Sequence, residues 1–198
     1  ISVAAYHGRV NTVAYLLSMG SVEINGRDVI DPPLCRAVAL GHLDVVSLLV
    51  QQGARLNINE STIANHDTAL CIASRGGDLK IVQALLRHDR IDVNVRNRWF
   101  EDPLMLAVKG GHFSVVEALV DNPRLKIFSL KRSLDLARNY CIQRAIRSRL
   151  EVDNDARQGL LKRSPRGRFG GLSRLATATS GSSRDAMRDG QANRHFFR

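Results

Sequence analysis

The sequence has 198 residues, of which 44% are hydrophobic and only 5% aromatic, so a core would be built mainly from Ala, Val, Ile and Leu. It contains no run of about 18 apolar residues, which excludes a membrane-spanning helix. Its three cysteines, Cys35, Cys71 and Cys141, are few, odd in number and widely spaced, so no disulfide framework is expected. This cysteine usage favours a reducing, intracellular setting, cytoplasmic or nuclear.

The net charge of +10 is confined to one end of the chain. Residues 1–130 hold 13 Lys/Arg and 13 Asp/Glu, and therefore carry no net charge. Residues 131–150 hold 6 basic and 1 acidic residue, and residues 151–198 hold 10 and 5, so each segment carries +5. An affinity for nucleic acid is expected only from this C-terminal end.

Four segments share one pattern, in which two small residues precede a glycine and two apolar doublets follow it. In the second segment the small pair is Ala37-Val38, and the doublets are Val45-Val46 and Leu49-Val50. Doublets spaced in this way lie on one face of an α-helix, so each segment predicts an amphipathic outer helix after an inner helix of small residues. The glycines are separated by 33, 36 and 34 residues: Gly8, Gly41, Gly77 and Gly111. Each stands where the inner helix would end in a left-handed conformation, which glycine adopts readily.

A helix, a tight turn, a second helix and a long turn at about 33 residues per unit are typical of ankyrin repeats. The family pattern T-P-L-H-x-A-A-x-x-G-H is present as Pro32 to His42 and recurs from Thr68 and from Asp102. Pro33 and Pro103 stand where the inner helix would begin, which is a favourable position for proline. The chain resembles the ankyrin-repeat family over residues 1 to about 150. The resemblance implies an all-α solenoid of stacked antiparallel helix pairs joined by β-turn or hairpin loops.

The two ends of the array depart from the pattern. Ile1 falls inside the first inner helix, so the first repeat is truncated and we expect further sequence upstream. After three full repeats comes a degraded one at about 131–150, which we interpret as a polar C-terminal cap. There, Leu134 to Ala137 predicts the start of an inner helix and Ile142 to Leu150 an outer helix.

The remaining segment, 151–198, is expected to be a basic, disordered tail that starts at about residue 152. Lys162-Arg163 and the stretch Arg166 to Gly171 resemble a nuclear-import signal or a weak RNA-binding segment. The alternative is a solvated tail that has no dedicated partner.

No catalytic, cofactor or metal site is expected. The sequence has no CxxC, HExxH or GxSxG motif, and its six histidines never pair at helical metal-ligand spacing. Cys35 and Cys71 occupy the same repeat position and are predicted to be core residues. For His42 and His112 the resemblance implies hydrogen bonds between repeats.

The resemblance also implies where a partner protein would bind, namely at the turn tips and at the exposed positions of the inner helices. Segment 96–101 stands out because it holds the only tryptophan beside a phenylalanine, flanked by arginines. Trp and Arg are common energetic anchors at interfaces. Two interpretations remain open: this tip anchors a partner, or Trp99 or Phe100 folds back over the neighbouring helix. Carried over by position, the candidate binding residues are Tyr6, His7, Asp28, Val29, Arg36, Ala39, Leu40, Arg75, Arg96, Arg98, Trp99, Phe100 and Lys109.

The sequence therefore predicts a monomeric, non-catalytic module that binds another protein. One alternative is nucleic-acid binding through the basic cap and tail. The other is that the repeats form one part of a larger enzyme or receptor.

Overall fold

The repeats fold as antiparallel helix pairs, seen in a computed structural model that describes residues 1–20, 22–25 and 31–163. The inner helices are α1 Ser2–Tyr6, α3 Pro33–Ala39, α5 Ala69–Gly76, α7 Pro103–Gly110 and α9 Ile127–Leu136. The helices that follow them are α2 Val10–Ser18, α4 Leu43–Val50, α6 Leu79–Leu86, α8 Phe113–Val120 and α10 Tyr140–Arg163. Each inner helix contacts the next inner helix, and α2, α4, α6 and α8 contact one another in the same order. Within the described ranges, the only β-type pairing is an isolated antiparallel bridge between Ser61 and Thr68. The predicted all-α solenoid is confirmed.

The inner helices begin as their sequences predict. Pro33 and Pro103 lie in the first helical turn. A backbone N–H has no partner within the helix at this position, so its absence in proline costs no hydrogen bond. Thr68 and Asp102 cap α5 and α7, because their side-chain oxygens accept a hydrogen bond from the backbone N–H three residues further on, at 3.3 and 2.9 Å.

Two of the glycines that end the inner helices, Gly8 and Gly77, also make room for a histidine of the next repeat. A Cβ atom at Gly77 would lie 2.5 Å from the His112 ring, whose Nε2 lies 3.0 Å from the carbonyl oxygen of Arg75. His42 makes the same 3.0 Å bond to Tyr6. The hydrogen bonds between repeats are thus confirmed for both histidines. The φ angles of the four repeat glycines are all positive: Gly8 62°, Gly41 72°, Gly77 77° and Gly111 72°.

The apolar doublets form the core between the two rows of helices. Their buried members are Val13, Leu17, Val45, Val46, Leu49, Ile81, Val82, Leu85, Val115, Val116, Leu119 and Val120. Cys35 and Cys71 are buried among the inner helices, as predicted. Burial raises the pKa of the Cys71 thiol to about 11 and that of Cys35 still further. Neither thiol is therefore ionised near neutral pH.

The long turns between repeats are joined by a row of asparagines at equivalent positions, Asn25, Asn59 and Asn94. Each side-chain amide donates to a backbone carbonyl of the following repeat, and each side-chain oxygen accepts a backbone N–H from it, at 2.7 to 3.2 Å. Each asparagine thus satisfies two backbone groups that the turns would otherwise leave unpaired.

The last helix pair differs from its prediction. The inner helix α9 begins at Ile127 and ends at Leu136, so Leu134 to Ala137 is the end of this helix rather than its start. Leu130 and Ser133 provide the buried face of α9, and this face begins earlier than the sequence pattern placed it.

The outer helix of this pair, α10, continues to Arg163. The expectation that helix ends at 150 and disorder begins at about 152 is therefore wrong for residues 151–163. Ile142 and Ile146 fix the start of α10 in the core, and an ion pair of Arg149 with Asp153, at 3.3 Å, spans the expected boundary. One compact unit runs from Ile1 to Lys162. The expected tail from residue 164 lies outside the described residues.

Candidate functional site

The turn between α6 and α7, residues 96–101, is organised around the buried side chain of Asn97, which is only 5% exposed. We call this segment the 96–101 tip. The Oδ1 atom of Asn97 accepts the backbone N–H groups of Trp99 and Glu101, each at 3.0 Å. Its Nδ2 atom donates to Asp67 Oδ1 at 3.0 Å and to the Glu101 carboxylate at 3.4 Å. The shape of the tip is therefore fixed from inside, without help from its two aromatic rings.

Both aromatic rings of the tip point away from the fold. The side chain of Trp99 is 54% exposed and that of Phe100 is 67% exposed. Phe100 has a φ of 59°, a left-handed conformation that it shares with His66 of the preceding turn, at 54°. This exposure disagrees with the interpretation in which Trp99 or Phe100 folds back over the neighbouring helix.

A group of charged side chains lies on the inner helices beside the tip. The Nη1 and Nη2 atoms of Arg75 donate to the buried carboxylate of Asp67, at 2.8 and 3.0 Å. Lys109 forms an ion pair with Glu101. Together with Asn97, these four residues form what we call the inner-face network. The two predicted binding cations on this face, Arg75 and Lys109, are thus each paired with a carboxylate of the protein itself.

The pKa values within the inner-face network follow from these pairings. The hydrogen bonds to Asp67 raise the pKa of Arg75. Partial burial acts to raise the pKa of Glu101, but the hydrogen bonds from Lys109 and Asn97 outweigh it, and the net shift is downward. The Glu101 carboxyl group therefore stays ionised at neutral pH.

The arginines of the tip itself are placed differently. Arg96 and Arg98 take part in no ion pair within the part of the chain that the structure describes. The backbone N–H of Arg98 donates to Asn65 at 2.9 Å, which joins the tip to the preceding turn. The Arg96 guanidinium lies 4.8 Å from the ring centroid of Phe128 at the start of α9, and that of Arg132 lies 5.7 Å from the same ring.

Phe128 is half exposed, and together with the tip it extends the predicted site onto α9. Neither Phe128 nor Arg132 was among the sequence candidates, because α9 was expected to begin later in the chain. The signal that could have found Phe128 is an exposed aromatic residue in the first turn of an inner helix. We call the resulting surface the basic-aromatic strip; its members are Arg96, Arg98, Trp99, Phe100, Phe128 and Arg132.

The candidates from the first two repeats form a second cluster. The Tyr6 and His7 rings meet edge to face at 5.1 Å, and the Arg36 guanidinium lies 5.5 Å from the centroid of the Tyr6 ring. Tyr6 and Leu40 are each 46% exposed. The structure thus brings Tyr6, His7 and Arg36 together. Ala39 is also exposed on α3, whereas Asp28 and Val29 lie outside the described residues.

Other kinds of site find little support in the described residues. Within the described ranges, His, Cys, Asp and Glu side chains form no group of three or more that could hold a metal ion. None of the helices there is both long enough and apolar enough to cross a membrane.

Known proteins match these repeats. The family model for ankyrin repeats, in three copies, matches residues 34–129. Residues 34–129 of the chain are ankyrin repeats. Ankyrin repeats are generally modules for protein–protein interaction, and proteins that contain them are typically non-catalytic.

Two curated relatives contain similar sequence within much longer chains. An ankyrin repeat and KH domain-containing protein of Caenorhabditis briggsae is 36% identical over 108 residues, which are 54% of this chain and 4% of that protein. A protein fem-1 homolog of Drosophila melanogaster is 38% identical over 72 residues, which are 32% of this chain and 10% of that protein. The chain thus spans a small fraction of the length of either relative.

Proposed function

We propose that this ankyrin stack binds a partner protein through its turn tips and exposed inner-helix positions, with the 96–101 tip as the main anchor. The observation that carries the proposal is the exposure of Trp99 and Phe100 on a turn that is braced from inside. Large exposed apolar side chains favour association, and tryptophan is enriched among the residues that dominate binding energy.

The bracing of the tip favours tight binding. The bonds of Asn97 and the link from Arg98 to the preceding turn hold the tip backbone before any partner arrives. A partner then has fewer residues to order, and less of the interaction energy is spent on ordering them.

Arg75 and Lys109 have a different role in this proposal from the one that their position in the repeat implies. Each is already paired with a carboxylate, so contact with a partner would have to displace an internal ion pair. We assign both residues to holding the tip in place. The cluster of Tyr6, His7 and Arg36 supplies a second contact region on the first two repeats.

The test exploits the likeness of two successive turns. Asn65 and His66 occupy the positions in the preceding turn that Trp99 and Phe100 occupy in the tip, and His66 has the same left-handed backbone as Phe100. The double variant Trp99→Asn, Phe100→His therefore replaces both large apolar rings with the more polar residues that the preceding turn carries at these positions. Tyr15→Ala is the matched control, because Tyr15 is 65% exposed on α2.

The full chain serves as bait, and the affinity of a recovered partner is then measured for each variant by calorimetry. We expect the tip variant to lose at least about tenfold in affinity, or about 1.4 kcal/mol, while the control stays within about twofold. Unchanged thermal unfolding confirms that the fold is intact. An affinity for the tip variant within about 0.5 kcal/mol of the wild type would remove the tip from the binding surface.

Nucleic-acid binding through the basic cap is a second candidate, favoured by the charge of residues 131–150. Arg144 and Arg147 are exposed on α10. If they bind phosphates, Arg144→Glu, Arg147→Glu should weaken the binding of an oligouridine and flatten its dependence on salt. An oligouridine affinity that is low and the same in both chains would count against this candidate. The short coverage of both relatives leaves room for the third candidate, a module within a larger enzyme or receptor.

A further inference from the structure

We propose that the basic-aromatic strip recognises an acidic segment of a partner protein that carries a large apolar side chain. This inference rests on the proposed function, because it names the chemistry of the protein that the tip would bind.

Several cations of the described residues are in no ion pair, and three of them lie on the strip. Residues 1–130 carry no net charge, so a positive potential there depends on which cations lack a partner. Within the part of the chain that the structure describes, Arg96, Arg98 and Arg132 are in no ion pair. The guanidinium groups of Arg96 and Arg132 both lie within 6 Å of the Phe128 centroid. A carboxylate that approaches this ring therefore meets two planar donors suited to bidentate pairing.

The exposed aromatic rings of the strip are the reason why the ligand needs an apolar part. Trp99, Phe100 and Phe128 each expose more than half of their surface. Ile63, at 54% exposure, extends the apolar surface onto the preceding turn, to which the Arg98 backbone is bonded. A purely acidic segment would leave these rings in water, whereas one large apolar side chain among its carboxylates would cover them.

The charges beside the strip favour a peptide over a nucleic acid. Single-stranded nucleic acid is held by a groove in which cations follow the backbone. Here the neighbouring cations of the inner face, Arg75 and Lys109, are neutralised by Asp67 and Glu101. A continuous phosphate backbone would run from the strip onto this paired surface and gain nothing from it. A short acidic segment engages the strip alone.

The chain carries its own reporter for this test. Trp99 is the only tryptophan in the sequence, so the tryptophan emission of the full chain reports on the strip. The probes are synthetic peptides of about twelve residues, a length that matches a linear recognition segment. The first is rich in Asp and Glu around a central Leu-Phe pair. The second replaces its acidic residues by Lys, and the third replaces the Leu-Phe pair by Ser. A fourth probe is a uridine oligonucleotide of similar length.

We expect a saturable shift of Trp99 emission with the first peptide, and an affinity at least about tenfold lower for the second and third. Raising the salt concentration from about 0.05 to 0.5 M should weaken the first peptide about fivefold, because exposed charge pairs are screened. Arg96→Gln should reduce its affinity about fivefold or more. Arg87→Gln, at an exposed arginine that follows α6, is the matched control and should leave the affinity unchanged.

Equal binding of the acidic and the lysine-containing peptide would overturn the inference. So would an oligonucleotide that binds with dependence on Arg96 while the acidic peptide does not bind. A failure here is distinguishable from a failure of the proposed function. If no peptide shifts the emission but the Trp99→Asn, Phe100→His variant still loses its protein partner, the tip binds protein of another chemistry and only this inference falls. If neither effect is found, both proposals fall.

Discussion

The substitution Asn97→Asp changes one amide group into a carboxylate at the centre of the 96–101 tip, with almost no change of shape. The new carboxylate can still accept the backbone N–H groups of Trp99 and Glu101. It can no longer donate to the Asp67 oxygen, 3.0 Å away, or to the Glu101 carboxylate, 3.4 Å away. Three carboxylates would then share the cations of Arg75 and Lys109, so we expect the fold to be less stable at neutral pH.

The expected loss of unfolding free energy has a lower and an upper bound. Loss of the charge-assisted bond to Asp67 alone removes about 1.5–3 kcal/mol. The variant can escape the repulsion between carboxylates by binding one proton. Holding a proton on a carboxyl group whose ordinary pKa is near 4 costs about 1.4 kcal/mol per pH unit, or about 4 kcal/mol at pH 7. We therefore expect Asn97→Asp to reduce the free energy of unfolding by about 2–4 kcal/mol at pH 7.

The sign of the pH dependence follows from the same bound. The introduced carboxyl cluster has a raised pKa in the folded state, so the variant's deficit is smallest below the unfolded value near 4 and grows as the pH rises. At pH 5 the ceiling on the deficit falls to about 1.4 kcal/mol. The wild type lacks this proton, so the difference between the two chains isolates the effect.

Urea unfolding followed by circular dichroism at about pH 5 and pH 7 measures this difference. The control is Asn139→Asp, because the Asn139 side-chain oxygen only accepts a bond, from the N–H of Cys141 at 2.8 Å, and an Asp can accept it equally well. The control should stay within about 0.5 kcal/mol of the wild type. An Asn97→Asp chain that is as stable as the control, or whose deficit does not change with pH, would refute the placement of this amide between carboxylates.

Further substitutions probe the backbone and the core. Phe100→Gly should be more stable than Phe100→Ala by about 1 kcal/mol, because both lack the ring and only glycine adopts a φ of 59° freely; equal urea midpoints would contradict that geometry. Gly77→Ala should cost at least about 1 kcal/mol more than Gly41→Ala, because only at Gly77 would the added methyl group meet an imidazole, and equal losses would argue against this contact. Ellman's reagent near pH 8 should label exposed Cys141 quickly, and Cys71, with its pKa of about 11, only on unfolding; fast labelling of Cys71 in the native chain would disprove its burial.

The stack was predictable from the sequence because its signals repeat. A doublet such as Val45-Val46 recurs at the same distance from a glycine in each unit, and each copy meets the same neighbours in the row. Positive φ at Gly77 and the hydrogen bond of His112 followed from the same alignment. Repetition thus replaced the long-range information that a single sequence normally lacks.

The C-terminal end was less predictable because its signals do not repeat. No glycine follows α9, and α9 begins with Ile127, whereas α3, α5 and α7 begin with proline or alanine. Beyond Leu150, α10 has no apolar stripe to mark its course, and its continuation depends on local helix-forming residues and on the Arg149–Asp153 pair. Apolar periodicity predicts a helix from its buried face, so it does not detect a helix that has no buried face.

The candidate site was predictable in position but not in chemistry. Resemblance to the family placed segment 96–101 at a turn tip. Whether Trp99 folds back depends on Asn97, whose amide reaches Asp67 thirty residues earlier in the chain. The same contacts decide that Arg75 is paired and Arg96 is not. Pairings of this kind depend on side-chain geometry between repeats, which spacing along one sequence does not contain.

The comparison of two successive turns separates what belongs to the repeat from what belongs to this protein. His66 and Phe100 share a left-handed backbone, although the N–H of His66 donates to Thr62, four residues earlier, at 3.0 Å and that of Phe100 to Asn97, three residues earlier, at 2.9 Å. The strain at Phe100 is therefore a property of the repeat and carries no functional information. The difference lies in the side chains, since a tryptophan and a phenylalanine stand where the preceding turn has asparagine and histidine. The two turns thus share a left-handed residue at the same place before the inner helix, and the side chains that change around it are where a partner would be distinguished.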